Sequence, residues 1–249
     1  YANCFYIFLL HLIGRLNSKE LDYDVIGKQI MKNINRQWEA NKNVETLNKN
    51  KNYLQLLTFS LSALHLLNLQ KSHPLDNLVI PLLPENMKEY LEDIDLFNCP
   101  SPTGNLSMCI AIMLIYSRDY LGLSIDNALE EWVTIHFDKM NSNGFWGKDE
   151  INHLQFQQGY HQYEIFEYLG VEIPKIKSAI NLLLKIADKR GQFAPYFGGG
   201  GCYDYDATYI LTYNGRVLQK REKRLLKKTI STILSEQNED GGFSDSQWI

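Results

Sequence analysis

The sequence predicts an all-α protein built from paired helices, and two repeating patterns carry this prediction. Apolar residues recur three and four positions apart in successive segments, which is the spacing of one face of an α-helix. Glycine-aromatic stretches recur about 50 residues apart, a period typical of stacked helix hairpins. They are GFWG at 144–147, GQF at 191–193 and GGF at 241–243. No segment of the sequence shows the strict alternation of a half-buried β-strand.

The first half of the chain is predicted to contain four helices after an apolar opening segment. The opening YANCFYIFLLHLIG is expected to be a buried helix, because Asn3, His11 and Arg15 interrupt it and it is too short to span a bilayer. The next helices flank an Asn/Lys-rich loop and the loop NCPSPTGN, and they cover 23–40, 53–70, 84–96 and 106–121.

The second half repeats the hairpin pattern more clearly. An amphipathic helix precedes each glycine-aromatic stretch, at 128–140, 176–189 and 225–237. A second helix follows the first two stretches, at 159–169 and 204–213. These second helices carry aromatic and small residues on several sides, so we expect them to be buried nearly all round. That favours a closed ring of hairpins, an α/α toroid formed by residues 1–249, with the second helices innermost.

Both ends of the sequence look interrupted. The chain begins at Tyr1 without an initiator methionine, and it stops at SQWI just after a turn signal. We therefore expect a piece of a longer chain, with the toroid incomplete at one or both ends.

Composition and charge argue against several classes of protein. A hydrophobic fraction of 45% with 22% charged residues is that of a globular chain rather than a disordered one. The net charge of −4 gives no sign of a nucleic-acid partner. The cysteines form no CxxC pair, which argues against a zinc knuckle or a dense disulfide framework and for a reducing, cytoplasmic location. They are Cys4, Cys99, Cys109 and Cys202.

The last glycine-aromatic turn resembles a repeat of known toroid proteins. Residues 237–243, QNEDGGF, are similar to the Q-x-x-D-G-G-aromatic turn of prenyltransferase/squalene-oxidase repeats, and GFWG and GQF are variants of it. On these residues the chain resembles the α/α toroid superfamily of terpene cyclases and protein prenyltransferase β subunits. The resemblance covers the second half of the chain, while the first half matches only in the spacing of its predicted helices. It implies that glycine-aromatic loops join outer helices to inner ones.

Two acids behind the glycine run extend this resemblance. Residues 204–209, DYDATY, are similar to the D-x-D-D-T-A motif of class II terpene cyclases, in which the middle Asp protonates an alkene or epoxide to begin cyclisation. The resemblance implies that Asp206 is the general acid and Asp204 its neighbour, that the substrate is a small apolar isoprenoid, and that no cofactor takes part. Ala207 stands where the family has its last Asp.

A rival resemblance lies in the same stretch. GCY at 201–203 is similar to the G-C-Y of protein prenyltransferase β subunits, which hold zinc with an Asp-x-Cys pair and a later His. Here a glycine replaces that Asp and no His follows. Cys202 with Asp204, Asp206 and His161 would offer zinc ligands, but their spacing matches no known metal motif, so no metal site is predicted.

The two acids also have a structural interpretation. An acid that protonates carbon must stay neutral at working pH, so burial or a second carboxylate must raise its pKa, and Asp204 and Asp206 can form such a pair. Alternatively, Asp204 caps the helix that follows the glycine loop, and Asp206 lies in the first turn, where the helix dipole lowers carboxyl pKa values. The role of helix cap fits Asp204 better, and the role of general acid fits Asp206 better.

His161 and several aromatic residues complete the candidate site. His161 falls level with Asp206 when Gly170 and Gly215, which end the two second helices, are aligned, so it is a candidate base or orienting group. Alternatively it is a partly exposed, hydrogen-bonded helix residue. Aromatic side chains either line a cavity and stabilise a carbocation or fill the core. The candidates are Tyr160, Tyr163, Tyr203, Tyr205, Tyr209 and, in the first loop, Trp146, whose alternative role is to plug that loop.

The run KREKRLLKK at 220–228 predicts either a solvated outer helix face or a surface that contacts an anionic lipid membrane or a diphosphate.

The leading functional prediction is therefore an isoprenoid-handling toroid of the class II cyclase type. Two alternatives stay open. A carbohydrate-active toroid, a lyase or glycoside hydrolase, would need a second carboxylate facing Asp206, and Glu150, Glu164 and Asp119 are candidates. A toroid that has lost catalysis and serves as a binding scaffold is favoured by Ala207.

Overall fold

The computed structural model describes residues 1–16, 22–41, 43–98, 103–150, 152–196 and 200–243. Within these ranges the chain is helical without any β-strand, and a lone antiparallel bridge joins Gln237 to Phe243. The all-α prediction is confirmed, and the toroid stays a prediction. Cys99, Gly198 and Gly199 of the glycine run, part of the loop NCPSPTGN and the closing SQWI lie outside the described residues.

Twelve α-helices occur in the described ranges. They are α1 (Ala2–Leu12), α2 (Tyr23–Asn41), α3 (Val44–Leu47), α4 (Lys51–Leu66), α5 (Asp76–Val79), α6 (Met87–Asp93), α7 (Thr103–Asp119), α8 (Asp126–Asp138), α9 (His153–Leu169), α10 (Ile176–Ile186), α11 (Cys202–Thr212) and α12 (Lys220–Ser235). Short 3-10 turns occupy Ile80–Leu82, Leu96–Asn98 and Tyr213–Gly215. No helix among the described residues is long and apolar enough to cross a membrane.

Side-chain caps account for two of the differences between the predicted and the observed helix starts. The helix expected from residue 84 begins only at Met87, because the Asn86 side chain accepts the Glu89 N–H at 3.1 Å. The helix expected from residue 159 begins earlier, at His153, because Asn152 Oδ1 accepts the Leu154 N–H at 2.8 Å. Hydrophobic periodicity alone does not register such caps.

The chain divides into two compact units. The first comprises Tyr1–Tyr90 and Asn105–Trp132, and the second comprises Leu91–Gly104 and Val133–Ile249. In the first unit α1 and α2 pack against α4, whose buried residues include Leu54, Leu57 and Leu61. Thr58 of α4 lies 3.6 Å from the Cys109 sulfur of α7 (Oγ1 to Sγ), within the same core.

The opening helix α1 is less buried than its composition predicts. Cys4, Ile7 and Leu10 are buried, whereas Phe5, Tyr6, Leu9 and Leu12 are exposed. The prediction of a helix is confirmed, but the prediction that it is buried is wrong for this outer face. Apolar composition all round a helix does not reveal which side has a packing partner.

Three turns of the second unit share one backbone geometry. Gly144, Gly191 and Gly241 have φ values of 85°, 84° and 86°, a region that side-chain-bearing residues rarely adopt. Each glycine N–H donates to the carbonyl three residues earlier, at distances of 3.1, 3.1 and 2.9 Å. The three glycine-aromatic stretches are therefore structural equivalents as well as sequence repeats.

The shared geometry shows which aromatic residues of the three turns correspond to one another. The residue three before each glycine donates its N–H to the carbonyl just after that glycine, in Phe145, Gln192 and Gly242. Trp146, and not Phe145, is therefore the counterpart of Phe193 and Phe243. Two adjacent aromatics in GFWG hid this register in the sequence.

The first two turns pack closely against the amphipathic helix of the next repeat. A Cβ added at Gly144 would lie 2.8 Å from the Lys175 carbonyl oxygen, and one at Gly191 would lie 2.9 Å from the Thr229 nitrogen. Lys175 Nζ donates to the Met140 carbonyl at 2.7 Å, and Thr229 Oγ1 donates to the Gly191 carbonyl at 2.6 Å. The hairpins of the second unit therefore stack, which buries faces that a lone hairpin would expose.

Replacing Gly191 with alanine should destabilise the second unit more than replacing Gly170. Both glycines have positive φ, so alanine costs about 1 to 2 kcal/mol of strain at either site. A Cβ at Gly170 meets nothing within 4 Å, whereas one at Gly191 meets the α12 backbone and should cost roughly 1 to 3 kcal/mol more. Urea unfolding of Gly191→Ala and Gly170→Ala measures the difference, and equal losses of stability would contradict the close packing of this turn.

Candidate functional site

The candidate site lies where α9 and α11 pack against each other in the second unit. These are the two second helices of the predicted hairpins. The structure places all of the predicted site residues on this helix pair except Trp146. Gly159 allows the first turn to pack onto α9, because a Cβ there would lie 2.8 Å from Phe145 Cδ1. The first glycine turn therefore packs directly against α9.

Asp206 is a buried carboxylic acid with an aromatic surrounding. Its side chain lies in the second turn of α11 and the residue is 2% exposed. Burial raises the pKa of Asp206 to about 8, with a further contribution from the Glu164 carboxyl on α9. Burial is the main cause of the raised pKa values of Tyr160, Tyr203 and Tyr205, and Asp206 makes a smaller contribution to each. The carboxyl is therefore neutral at pH 7 and lies close to these phenols.

Asp204 is equally buried but has a different environment. Its Oδ1 accepts the Phe193 N–H at 2.9 Å, and its Oδ2 has no hydrogen-bond partner among the described residues. Burial raises its pKa to about 6, against the Phe193 hydrogen bond, and Glu236 and Asp188 raise it further. The prediction that Asp204 caps α11 is wrong, because the N-cap is Gly201 and has no side-chain cap. Asp204 instead ties α11 to the second glycine turn.

The two acids do not act on each other as the sequence led us to expect. Glu164 raises the pKa of Asp206, whereas Glu236 and Asp188 raise that of Asp204. Two residues along a helix are separated by about 200° of rotation, so the side chains leave α11 in nearly opposite directions. Asp206 is therefore paired with an acid of the neighbouring helix.

Glu164 is the residue whose importance the sequence did not reveal. It was a candidate for the carbohydrate alternative alone, alongside Glu150 and Asp119. The sequence feature that could have pointed to Glu164 is its spacing from Tyr160. The two residues are four apart and so lie on the same face of α9. That face meets α11, and only the packing of the two helices brings Glu164 to Asp206.

Three tyrosines form an aromatic cluster beside Asp206. The Tyr160 ring lies edge-on to Tyr205 and Tyr209, with centroid distances of 5.8 and 5.9 Å. Burial, then Glu164, then Asp206 hold the pKa of Tyr160 well above its ordinary value. The Tyr209 hydroxyl donates to Glu167, and Tyr205 is 57% exposed. The cluster thus runs from the buried acid to the surface.

Tyr203 lies at the edge of this group. Its ring contacts Phe156 at 6.0 Å and Tyr196 at 6.4 Å between centroids. It therefore bridges α11 to α9 and to the segment after the second turn.

His161 is half-buried beside the same cluster. Its ring centroid is 4.2 Å from that of Tyr160, and its Nδ1 lies 3.8 Å from Glu164 Oε2. Nδ1 has no hydrogen-bond partner among the described residues. The histidine is therefore next to the Asp206–Glu164 pair on the Glu164 side.

Tyr163 and Trp146 lie in the core of the first turn. Tyr163 is fully buried and donates its hydroxyl to the Gly144 carbonyl at 2.9 Å. Trp146 is 2% exposed and donates Nε1 to the His136 carbonyl at 2.8 Å. Both side chains stabilise the turn, and neither takes part in the tyrosine cluster beside Asp206.

Cys202 is exposed at the start of α11, where its sulfur accepts a hydrogen bond from Gln157 Nε2 at 3.5 Å. Cys4 and Cys109 are buried thiols. Across the described ranges, no group of three or more His, Cys, Asp and Glu side chains is arranged to hold a metal ion.

The stability of the protein should depend on pH through Asp206. The folded state keeps the Asp206 proton up to about pH 8, whereas the unfolded chain releases it near the ordinary pKa of 3.8. The stabilisation is complete below pH 4 and is lost as pH rises to 8, by up to about 1.4 kcal/mol per pH unit. Asp206→Asn should flatten the fall in unfolding free energy between pH 6.5 and 8.

Asp204→Asn is the matched control for this measurement. The pKa of Asp204 is about 6, so its substitution should change the pH dependence only below that pH. An undiminished slope above pH 6.5 in Asp206→Asn would show that Asp206 titrates normally.

Comparison of the sequence with protein families, with curated proteins and with solved structures found no significant match. The functional argument therefore depends on the geometry of α9 and α11.

Proposed function

We propose that the α9–α11 site of an α/α toroid protonates an alkene or terminal epoxide of an isoprenoid to begin cyclisation, as in class II terpene cyclases. The observation that carries the proposal is the burial of Asp206, which leaves the carboxyl neutral at pH 7 among aromatic rings. Perturbed acids in such settings cluster at functional sites.

The proposed reaction needs an acid that is protonated and yet able to protonate carbon. The Asp206 proton is transferred to one alkene carbon, a C–H bond forms, and the other carbon becomes cationic. Ring closure moves this cation along the chain until a base removes a proton, so that an alkene substrate gives an isomer of itself. The low polarity around Asp206 keeps the proton in place until the substrate arrives.

The tyrosine cluster has the properties needed to stabilise a carbocation. The faces of Tyr160, Tyr205 and Tyr209 attract a cation through the ring quadrupole, by about 0.5 to 2 kcal/mol each. The bond from Tyr209 to Glu167 holds that ring in place, and Glu167 also accepts the Asn214 N–H at 3.0 Å. His161, with its free Nδ1, is the candidate for the final deprotonation.

Glu164 compensates in space for the acid that the motif lacks. Ala207 replaces the last Asp of the family motif and is fully buried. The second carboxyl of the site therefore comes from α9. Burial is the main cause of the raised pKa of Asp206, and the Glu164 carboxyl adds to it, which favours the protonated form of the general acid.

The proton transfer can be tested with deuterium. In D2O, the protein with linear polyprenyl substrates should give cyclic isomers that each carry one solvent-derived deuterium on the initiating carbon. Asp206→Asn should reduce turnover at least about 100-fold, since removing a general acid costs roughly two to four orders of magnitude. The wild-type rate should fall above pH 8, where Asp206 ionises.

Asp138→Asn is the control, because Asp138 is an exposed acid at the end of α8. It should leave turnover unchanged, and circular dichroism should show equal helix content in both variants. Full activity of folded Asp206→Asn would remove Asp206 from the mechanism.

A carbohydrate-active site is the second candidate, and the Asp206–Glu164 pair favours it. Glycosidases use two carboxyl groups, one of them held protonated by its environment as the general acid. Asp206 fits that acid, and Glu164 would be the base or nucleophile. Aromatic side chains such as Tyr205 also pack against sugar rings.

The variant Glu164→Gln separates the two functions. In a glycosidase it removes an essential carboxylate, so hydrolysis of oligosaccharides should fall at least about 100-fold. In a cyclase it only lowers the pKa of Asp206, so the upper limit of the pH–rate profile should move downward while turnover at lower pH persists. Thermal-shift measurements with polyprenyl diphosphates and with oligosaccharides show which class the wild-type protein binds.

A further inference from the structure

Helix α12 has a buried face and an outward face of opposite character. Leu226, Thr229 and Thr232 are buried against the second unit, and Thr232 donates to the Arg190 carbonyl at 2.7 Å. On the opposite face, Lys220, Lys223, Arg224 and Lys227 line an open depression of about 480 Å3. The helix is therefore fixed on one side and presents a basic surface on the other.

The outward cations have no acidic neighbour on their helix. The one acid within Lys220–Ser235 is Glu222, which is 2% exposed and turned inward. It pairs with Arg216 Nη2 at 2.7 Å and accepts the Gln219 N–H at 2.6 Å. None of the four cations around the depression forms an ion pair with a described residue. Their charge is available to an anionic partner.

Apolar side chains continue the same stripe of the helix. Ile230 and Leu234 lie seven residues beyond Lys223 and Lys227, which places them on the same face, and they are 56% and 62% exposed. Val217, just before the helix, is 88% exposed. Exposed apolar groups beside cations are the composition of helices that lie in the interface of a lipid bilayer.

We propose that this outward face of α12 docks the protein onto the surface of an anionic lipid bilayer. The cations contact lipid headgroups, and Ile230 and Leu234 insert at the boundary of the acyl chains. A polyphosphate chain such as RNA would use the cations but gain nothing from the apolar residues. The proposal concerns a different surface from the acid site and does not depend on it.

The test is sedimentation of the whole chain with vesicles. Binding is expected to vesicles of phosphatidylserine and phosphatidylcholine, to be absent with phosphatidylcholine alone, and to weaken as salt rises. Each basic residue near such a surface contributes about fivefold in affinity, so replacing the four cations of the depression with Gln should weaken binding roughly 100-fold or more. The double variant Ile230→Ser, Leu234→Ser should remove the part of the binding that resists salt.

A variant with the same charge loss elsewhere provides the control. Lys32, Lys71, Lys88 and Lys148 are exposed, and their replacement with Gln should leave vesicle binding within about threefold of wild type. If this variant lost as much vesicle binding as the variant of the four α12 cations, net charge alone would explain the binding, and the proposed docking face would be overturned. Failure of the wild-type chain to bind phosphatidylserine vesicles, or binding to an RNA oligonucleotide alone, would also overturn it.

Discussion

The candidate site depends on the hydrogen bond from the Phe193 N–H to the buried carboxyl of Asp204. This bond joins the second glycine turn to the first turn of α11, and so sets the rotation of that helix about its axis. With Asp204 directed to the turn, the side chain two residues later must leave the helix on nearly the opposite side. Asp206 is thereby placed toward α9 and its glutamate.

The same turn is held from its other side by α12. Gly191 adopts a φ of 84° and packs against the backbone at Thr229, while Arg190 Nη2 contacts Glu236 Oε1 at 2.7 Å and Gln192 Nε2 contacts Glu236 Oε2 at 3.1 Å. One short loop thus connects the stacking of the repeats to the orientation of the acid. A substitution that shifts this loop would therefore change the orientation of Asp206, even without a direct contact between the two.

Burying Asp206 in its ionised form would be costly, and the protein avoids that cost by keeping the proton. Desolvation disfavours the charged carboxylate, and a second acid beside it disfavours that form further. Neither effect helps the protein fold at neutral pH, since an alanine or leucine would fill the same place without a penalty. An acid retained under these conditions among tyrosines is better explained by chemistry than by stability.

The sequence by itself determined the helices and the glycine-aromatic repeat, and it singled out the two acids behind the glycine run as candidates. These depend on local signals: three- and four-residue periodicity, glycines that alone tolerate positive φ, and two acids behind a glycine run. The tertiary structure decided what such signals cannot encode. It showed that Trp146 corresponds to Phe193 and that the outer face of α1 is exposed. It also showed that Asp204 bonds to the second glycine turn and that Glu164 lies near Asp206. Each of these depends on which face of a helix meets its neighbour, and that is a property of packing between segments far apart in the chain.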